Sequence, residues 1–183
     1  MANKSANKAS SVMVLGSICL IASILLAATY HLTAPKIEEI TVQRANEARA
    51  ELMPEATSFS EIEPESWVDG VSEIYKADNG TGYVITSEAK GFGGTITVMV
   101  AFDNTGAIKA VKVTDASNET PGLGSKVTLE SYTSKYIGRT AVSTDSESED
   151  YVDGVSGATY SSKGVLKAVS AAVEQHAQFG GVY

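Results

Sequence analysis

The chain has 183 residues and a formal net charge of -8 at pH 7, from 22 acidic and 14 basic side chains. This acidic balance argues against nucleic acid as a partner, because binding to phosphate backbones requires a basic surface. One cysteine and two histidines are too few for a thiolate or imidazole cage, so zinc, haem and iron–sulfur clusters are not expected within this chain.

The N-terminal segment is apolar and long enough to cross a membrane. Residues 10–33 carry no charged side chain apart from a protonatable His31, and they exceed the roughly 20 helical residues that a bilayer core requires. Lys4 and Lys8 precede this segment, so the positive-inside tendency places residues 1–9 in the cytoplasm and everything after the span outside. A cleaved signal peptide is the alternative, although its apolar core usually has only about 7–15 residues. The sequence therefore predicts a single-pass cell-membrane protein with an extracytoplasmic C-terminal domain.

Residues 34–70 are predicted to connect the span to a folded domain. Their first part is charged and rich in helix-forming residues, with a partial apolar stripe, which is typical of a stalk helix that ends near Pro54. Residues 56–70 are acidic and interrupted by proline, which favours an irregular connection.

Residues 71–183 show the patterns of an α+β domain. Four segments alternate apolar and polar residues and are separated by turn sequences: VSEIYKA, GYVITSEA, GTITVMVAF and AIKAVKVTD. They predict an antiparallel meander of about four strands. A short helix should follow within SKVTLESYTSKYIGR, and a final helix over about Ser162–Gln178 has one apolar face that should lie on the sheet. The short helix offers these apolar residues for packing: Val127, Leu129, Tyr132 and Tyr136.

Several other motifs give weak signals. GFGGTI and GLGSKV contain glycines but lack the strand-to-helix context of a dinucleotide-binding loop. GVSGA lacks the final glycine of a nucleophile elbow, and His176 has no evident acid to orient it, which disfavours a serine hydrolase. The run STDSESED, residues 143–150, is predicted to be a solvated loop, with a cation site as the alternative.

Two motifs carry the main functional signal. In ETPGLG, Glu119 to Gly124, Pro121 fixes the backbone while the glycines allow a ligand to approach closely. About 35 residues later, DGVSGATYSSKG places four serine and threonine hydroxyls and a tyrosine close to Gly154 and Gly157 at the start of the final helix. One hydroxyl at Ser161 or Ser162 would satisfy the N-cap, so Ser156 and Thr159 need another explanation.

This pair of motifs resembles the FMN-binding domain shared by the C subunit of the sodium-pumping NADH:quinone oxidoreductase and the G subunit of the Rnf complex. The resemblance covers roughly Val71 to Gln178, and the apolar N-terminal segment agrees with both subunits. It implies that one FMN is esterified through its phosphate to Thr159. It also implies that Asp153 matches the acidic residue that the family's flavin transferase recognises.

The residues around Thr159 suit such an attachment. Gly157 and Ala158 leave the approach to Thr159 unobstructed, and a phosphate there would lie at the positive end of the final helix. Ser156 is placed to donate a further hydrogen bond to it. The flavin ring is expected to contact the ETPGLG loop, and its candidate residues are Thr120, Gly122, Leu123 and Gly124.

The length of the chain, without large insertions, makes it more similar to the Rnf G subunit. That resemblance implies a non-autonomous redox subunit of a translocase that couples electron flow between ferredoxin and NAD to sodium or proton transport. The flavin would relay electrons between a membrane iron–sulfur centre and another flavin subunit. The implied partners are the other subunits of the complex, the flavin transferase during maturation, and the lipid bilayer. Three alternatives remain: a free-standing extracytoplasmic flavoprotein, the quinone reductase C subunit, and an anchored binding domain without a flavin.

Overall fold

The computed structural model describes the backbone of residues 3–179 and the side chains of residues 11–178 except residue 38. The side chains of Lys4 and Lys8, on which the predicted orientation depends, lie outside the described residues, as do residues 180–183 of the predicted domain.

Helix α1, Asn3–Leu52, covers the segments predicted as transmembrane and stalk helices, and it continues through Pro35 without a break. Within the described residues, its stretch Ser11–Leu52 is long and apolar enough to cross a membrane, with a mean hydropathy of 2.5 in its most apolar window. The hydroxyls of Ser17, Ser23 and Thr29 donate to the carbonyls four residues earlier, at 2.8–2.9 Å. Such internal bonding suits a helix in lipid, where no water can satisfy polar groups.

A five-stranded antiparallel sheet follows, with the strands in sequence order. Its strands are β1 (Phe59–Glu61), β2 (Val71–Ala77), β3 (Tyr83–Lys90), β4 (Thr95–Phe102) and β5 (Ile108–Asp115). The last four match the four predicted segments. Strand β1 was not predicted, because three residues are too short to show an alternating pattern.

The compact folded unit begins at Glu47, well before the predicted boundary at residue 71. The last turn of α1 belongs to it, because the buried Arg49 guanidinium lies 3.5 Å from the centre of the Tyr75 ring and 2.8 Å from the Glu73 carboxylate. The segment predicted to be an irregular connection, residues 56–70, is also held against the folded unit. The buried side chain of Gln175 accepts from the Val68 N–H at 2.7 Å and donates to the Ser66 carbonyl at 3.1 Å.

Helix α3, Thr159–Phe179, packs against β3 and β4 through the predicted apolar face. The buried residues of that face are Val165, Leu166, Val169 and Ala172, and Val173 packs at its margin. The Ser87 hydroxyl on β3 donates to the Ala168 carbonyl at 2.8 Å. The helix is therefore held on the sheet by both apolar packing and a buried hydrogen bond.

The predicted short helix between β5 and α3 is a series of short turns. Two 3₁₀ turns, Gly124–Thr128 and Ser134–Tyr136, flank α2, Glu130–Thr133. Val127, Tyr132 and Tyr136 are buried as predicted, but Leu129 is 51% exposed. The 3.6-residue spacing that placed Leu129 inside does not apply where the helical type changes every few residues.

The exposure of these leucines predicts different costs of truncation. We expect Leu166→Ala, at 2% exposure, to lower the free energy of unfolding by about 2–5 kcal/mol, because it leaves a cavity in the core. Leu129→Ala should change it by less than about 0.5 kcal/mol. Chemical denaturation of the full chain in detergent, followed by the fluorescence of the single Trp67, measures both. Similar losses in the two variants would contradict the packing described above.

Candidate functional site

The second motif forms a tight turn that leads into α3. Gly157 adopts a φ of +79°, which favours glycine, and the Ala158 N–H donates to the Val155 carbonyl at 3.0 Å. The Ala158 carbonyl accepts the helical hydrogen bond from the Ser162 N–H at 2.9 Å. Thr159 is consequently the first residue of the helix, and it is exposed.

The prediction that Ser161 or Ser162 caps this helix is wrong, because both follow Thr159 within the helix and are buried. The Ser162 hydroxyl oxygen accepts from the Val155 N–H at 2.8 Å, and the Ser161 hydroxyl donates to the Glu119 carboxylate. Ala158 precedes the helix and has no side-chain oxygen. The N-cap position therefore offers no side-chain acceptor to the N–H groups of the first turn.

An open cleft of about 130 Å³ lies beside Thr159. Two loops and the start of α3 line it, and most of the predicted cofactor-binding residues meet there: Thr120, Leu123, Gly124, Gly157, Ala158 and Thr159. Ser156, Gly122 and Asp153 are exposed and do not line the cleft. The structure thus brings the two sequence motifs together at one place.

The buried carboxylate of Glu119 connects the segments around this cleft. Its side chain is 3% exposed, and one oxygen accepts from the Gly93 N–H at 3.0 Å while the other accepts from the Ser161 hydroxyl. Gly93 lies between β3 and β4, Glu119 begins the ETPGLG loop, and Ser161 lies in the first turn of α3. One side chain therefore links three separate parts of the chain.

Gly124 is required by the same arrangement. A Cβ atom at this position would lie 2.8 Å from both the Glu119 carboxylate and the Ser161 hydroxyl oxygen. Any larger residue would push apart the hydrogen-bonded pair. The second glycine of the ETPGLG motif, Gly124, is thus explained by packing within the site.

Sequence reasoning missed four residues of this region. Phe92 and Tyr160 line the cleft and are 67% and 69% exposed. Ser161 also lines it, and its hydroxyl donates to the buried Glu119 carboxylate. The available signals were an aromatic residue within GFGG and the glutamate that opens ETPGLG. Neither signal reveals a contact between residues so far apart in the chain.

Asp153, the predicted transferase recognition residue, lies in an extended segment ahead of the turn. The residue is exposed, and its backbone carbonyl accepts from the Lys135 ammonium at 3.0 Å. Its backbone is therefore held in place while its side chain faces solvent.

His176 has a structural role at the other end of α3. Its ring lies 4.7 Å from the Phe102 ring and 5.5 Å from the Tyr83 ring, measured between centroids. Burial lowers the pKa of His176, although the nearby Asp103 carboxylate acts in the opposite direction. Since α3 separates His176 from the turn at Ser156, the two residues do not form a hydrolase site.

The acidic run at residues 143–150 forms consecutive turns. Its carboxylates and hydroxyls bond to the backbone of the run itself, as in the contact of the Asp145 side chain with the Glu147 N–H at 3.0 Å. Among the residues that the structure describes, no group of three or more His, Cys, Asp or Glu is placed to hold a metal ion.

Comparison with known proteins identifies the class of this site. Residues 91–174, which include both motifs, match the FMN-binding domain. Over 170 residues the chain is 32% identical to the G subunit of the proton-translocating ferredoxin:NAD⁺ oxidoreductase complex of Clostridium ljungdahlii, covering 89% of this chain and 88% of that one. It is 29% identical to the G subunit of the Na⁺-translocating complex of Acetobacterium woodii, covering 88% of each. The chain therefore belongs to the FMN-binding domain family, in the group that contains these G subunits.

Two solved structures also match, each with a TM-score of 0.49. The first is the C subunit of the Na⁺-translocating NADH-quinone reductase from Parabacteroides distasonis, at 23% identity, covering 62% of this chain and 63% of that one. The second is NqrC from Shewanella oneidensis, at 25% identity, covering 67% and 68%.

The position of Glu119 predicts a specific loss of stability. Glu119→Ala removes the acceptor of two hydrogen bonds. We expect about 1–3 kcal/mol of destabilisation from the buried Ser161 hydroxyl left without its partner, and less from the N–H of the exposed Gly93, which water can reach. Glu119→Gln retains one oxygen acceptor and should cost less. Glu130→Ala, at an exposed position on α2, is the matched control and should change the free energy of unfolding by under about 0.5 kcal/mol. Equal effects of the two alanine variants in chemical denaturation would refute this role.

Proposed function

We propose that this chain is the flavin-carrying electron-transfer subunit of a membrane-bound, ion-translocating ferredoxin:NAD⁺ oxidoreductase complex, with FMN esterified to Thr159. The observation that carries the proposal is the position of Thr159. It is the exposed first residue of α3, and it lines a cleft together with the ETPGLG loop. The similarity to two G subunits over nearly their full length supports the assignment to such a complex.

The start of α3 suits a phosphate. A helix N-terminus presents N–H groups without intrahelical acceptors, and Ala158 supplies no side-chain oxygen to them. A phosphate on Thr159 Oγ1 would bring anionic oxygens to these N–H groups and to the positive end of the helix dipole. Ser156, exposed one residue before Gly157, offers a further hydroxyl to donate to it.

Attachment requires one bond to form and one to break. The Thr159 hydroxyl oxygen attacks the flavin-side phosphorus of a flavin dinucleotide, and the bond to the second phosphate breaks. A nucleoside monophosphate leaves, and the hydroxyl proton is lost to a base of the transferase. The exposed side chains of Thr159 and Asp153 are accessible to such an enzyme, and Asp153 is the residue that we assign to its recognition.

The ETPGLG loop is suited to hold the flavin ring. Thr120, Leu123 and Gly124 line the cleft, and Gly122 lies at the exposed tip of the same loop with a φ of +73°. When bound, FMN supplies reversible one- and two-electron chemistry. The cleft is smaller than the roughly 300–1,000 Å³ typical of sites that enclose a ligand. An edge of the ring would therefore stay accessible to an electron-transfer partner.

The apolar length of α1 and the similarity to subunits of ion-translocating complexes support a membrane location. We propose that α1 crosses the cell membrane once, that residues 1–9 are cytoplasmic and that the FMN-binding domain, residues 71–183, is extracytoplasmic. The other members of the complex would supply the ferredoxin and NAD sites.

Substitution of Thr159 tests the attachment. The native chain, produced with a flavin transferase, should gain the mass of FMN minus water and fluoresce in a denaturing gel. Thr159→Ala should lose both signals, and Thr159→Ser should be labelled only in part because a hydroxyl remains. Thr128→Ala, at an exposed threonine outside the cleft, is the control and should be labelled fully. Full labelling of Thr159→Ala would place the bond elsewhere.

Protease accessibility tests the orientation. Protease added to intact, right-side-out cells should remove the domain that follows Pro35, because that domain is expected on the outer side. The fragment that remains should be the N-terminal part of α1, up to about Pro35. A domain that is cleaved only after the membrane is permeabilised would reverse the proposed topology.

A further inference from the structure

We infer that Phe92 and Tyr160 form an aromatic wall against which the flavin ring docks. The inference rests on the proposed attachment at Thr159 and adds to it the side chains that hold the isoalloxazine ring. Both residues line the cleft beside Thr159, and neither was among the residues that the two motifs predicted for the site.

The exposure of these side chains is the first observation. Phe92 and Tyr160 are both about two-thirds exposed, and Leu123 in the same cleft is also exposed. Isolated exposed apolar residues are common on protein surfaces and need no explanation. Here three of them converge on a cleft of about 130 Å³, a grouping that favours a flat apolar ligand.

The arrangement of the two rings is the second observation. Their centroids lie 6.2 Å apart and their planes are inclined by 46°. This separation is too small for a third aromatic ring to insert between them, since stacked rings need about 3.5 Å on each side. The flavin ring would therefore lie against the pair, with Phe92 and Tyr160 contacting one face or one edge.

The backbone around each ring is fixed by the same carboxylate. Phe92 precedes Gly93, whose N–H donates to Glu119, and Tyr160 precedes Ser161, whose hydroxyl donates to Glu119. Tyr160 also follows Thr159 directly, so a ring tethered by a ribityl chain can reach it. The backbone next to each ring is thus held by contacts within the protein.

The motion of the tethered ring tests this inference. The full chain, labelled with FMN and held in detergent, is compared by time-resolved fluorescence anisotropy with Phe92→Leu and Tyr160→Leu. We expect each leucine variant to lower the ratio of docked to freely rotating flavin by roughly two- to twelvefold, the range that follows from the loss of one aromatic contact. Trp67→Leu, which removes an exposed aromatic side chain outside the cleft, should leave the ring docked.

Conservative variants separate ring contact from a general effect on folding. Phe92→Tyr and Tyr160→Phe keep an aromatic ring and should restore docking. Tyr160→Phe should also raise the emission of the docked flavin, because a phenol quenches flavin fluorescence by electron donation more readily than a phenyl ring does. Far-UV circular dichroism and the mass of each labelled chain confirm that fold and tether are intact.

The outcomes distinguish this inference from the proposed function. If the mass shows FMN on Thr159 but the leucine variants leave ring motion unchanged, the aromatic wall is refuted and the attachment stands. A labelled wild-type chain whose ring already rotates freely would refute the wall equally. Absence of the FMN mass from the wild-type chain would instead remove the attachment itself.

Discussion

The candidate site depends on one buried carboxylate. Glu119 accepts hydrogen bonds from the Gly93 N–H and the Ser161 hydroxyl, and these three residues belong to three separate segments around the cleft. A buried carboxylate is costly unless its oxygens are hydrogen-bonded, so the arrangement is stable only when all three segments are in place. The interaction therefore couples the folding of the domain to the assembly of the cleft.

The packing of α3 on the sheet places Ser161, the residue of this helix that donates to the Glu119 carboxylate. The apolar face of the helix lies on β3 and β4, and Ser87 fixes it there through the Ala168 carbonyl. At one end, the His176 ring packs beside the Phe102 ring. At the other end, the turn at Gly157 leaves Thr159 exposed at the first helical position. One helix thus supplies core packing along its length and an exposed hydroxyl at its start.

The sequence predicted those features that depend on local pattern. The four long strands and the apolar face of α3 follow from periodicity, and the meeting of ETPGLG with SGAT was implied by the family resemblance. The contacts of Glu119 span 26 and 42 residues, and no local pattern reports them. The same limit explains the error at Ser161 and Ser162. Two serines at a helix start suggest capping, but tertiary partners at Glu119 and Val155 occupy their hydroxyls instead.

The small size of the cleft is consistent with a covalent cofactor. A site that binds flavin reversibly must bury most of it to gain affinity, whereas a tethered flavin stays at a high effective concentration without such burial. A shallow cleft can then place the ring against a few fixed side chains and leave an edge open. Electron exchange with a partner requires such an edge, and deep burial would lengthen the distance over which an electron must travel. In the proposed function, the ester on Thr159 would retain the flavin, and the shallow cleft would keep the flavin accessible to an electron-transfer partner.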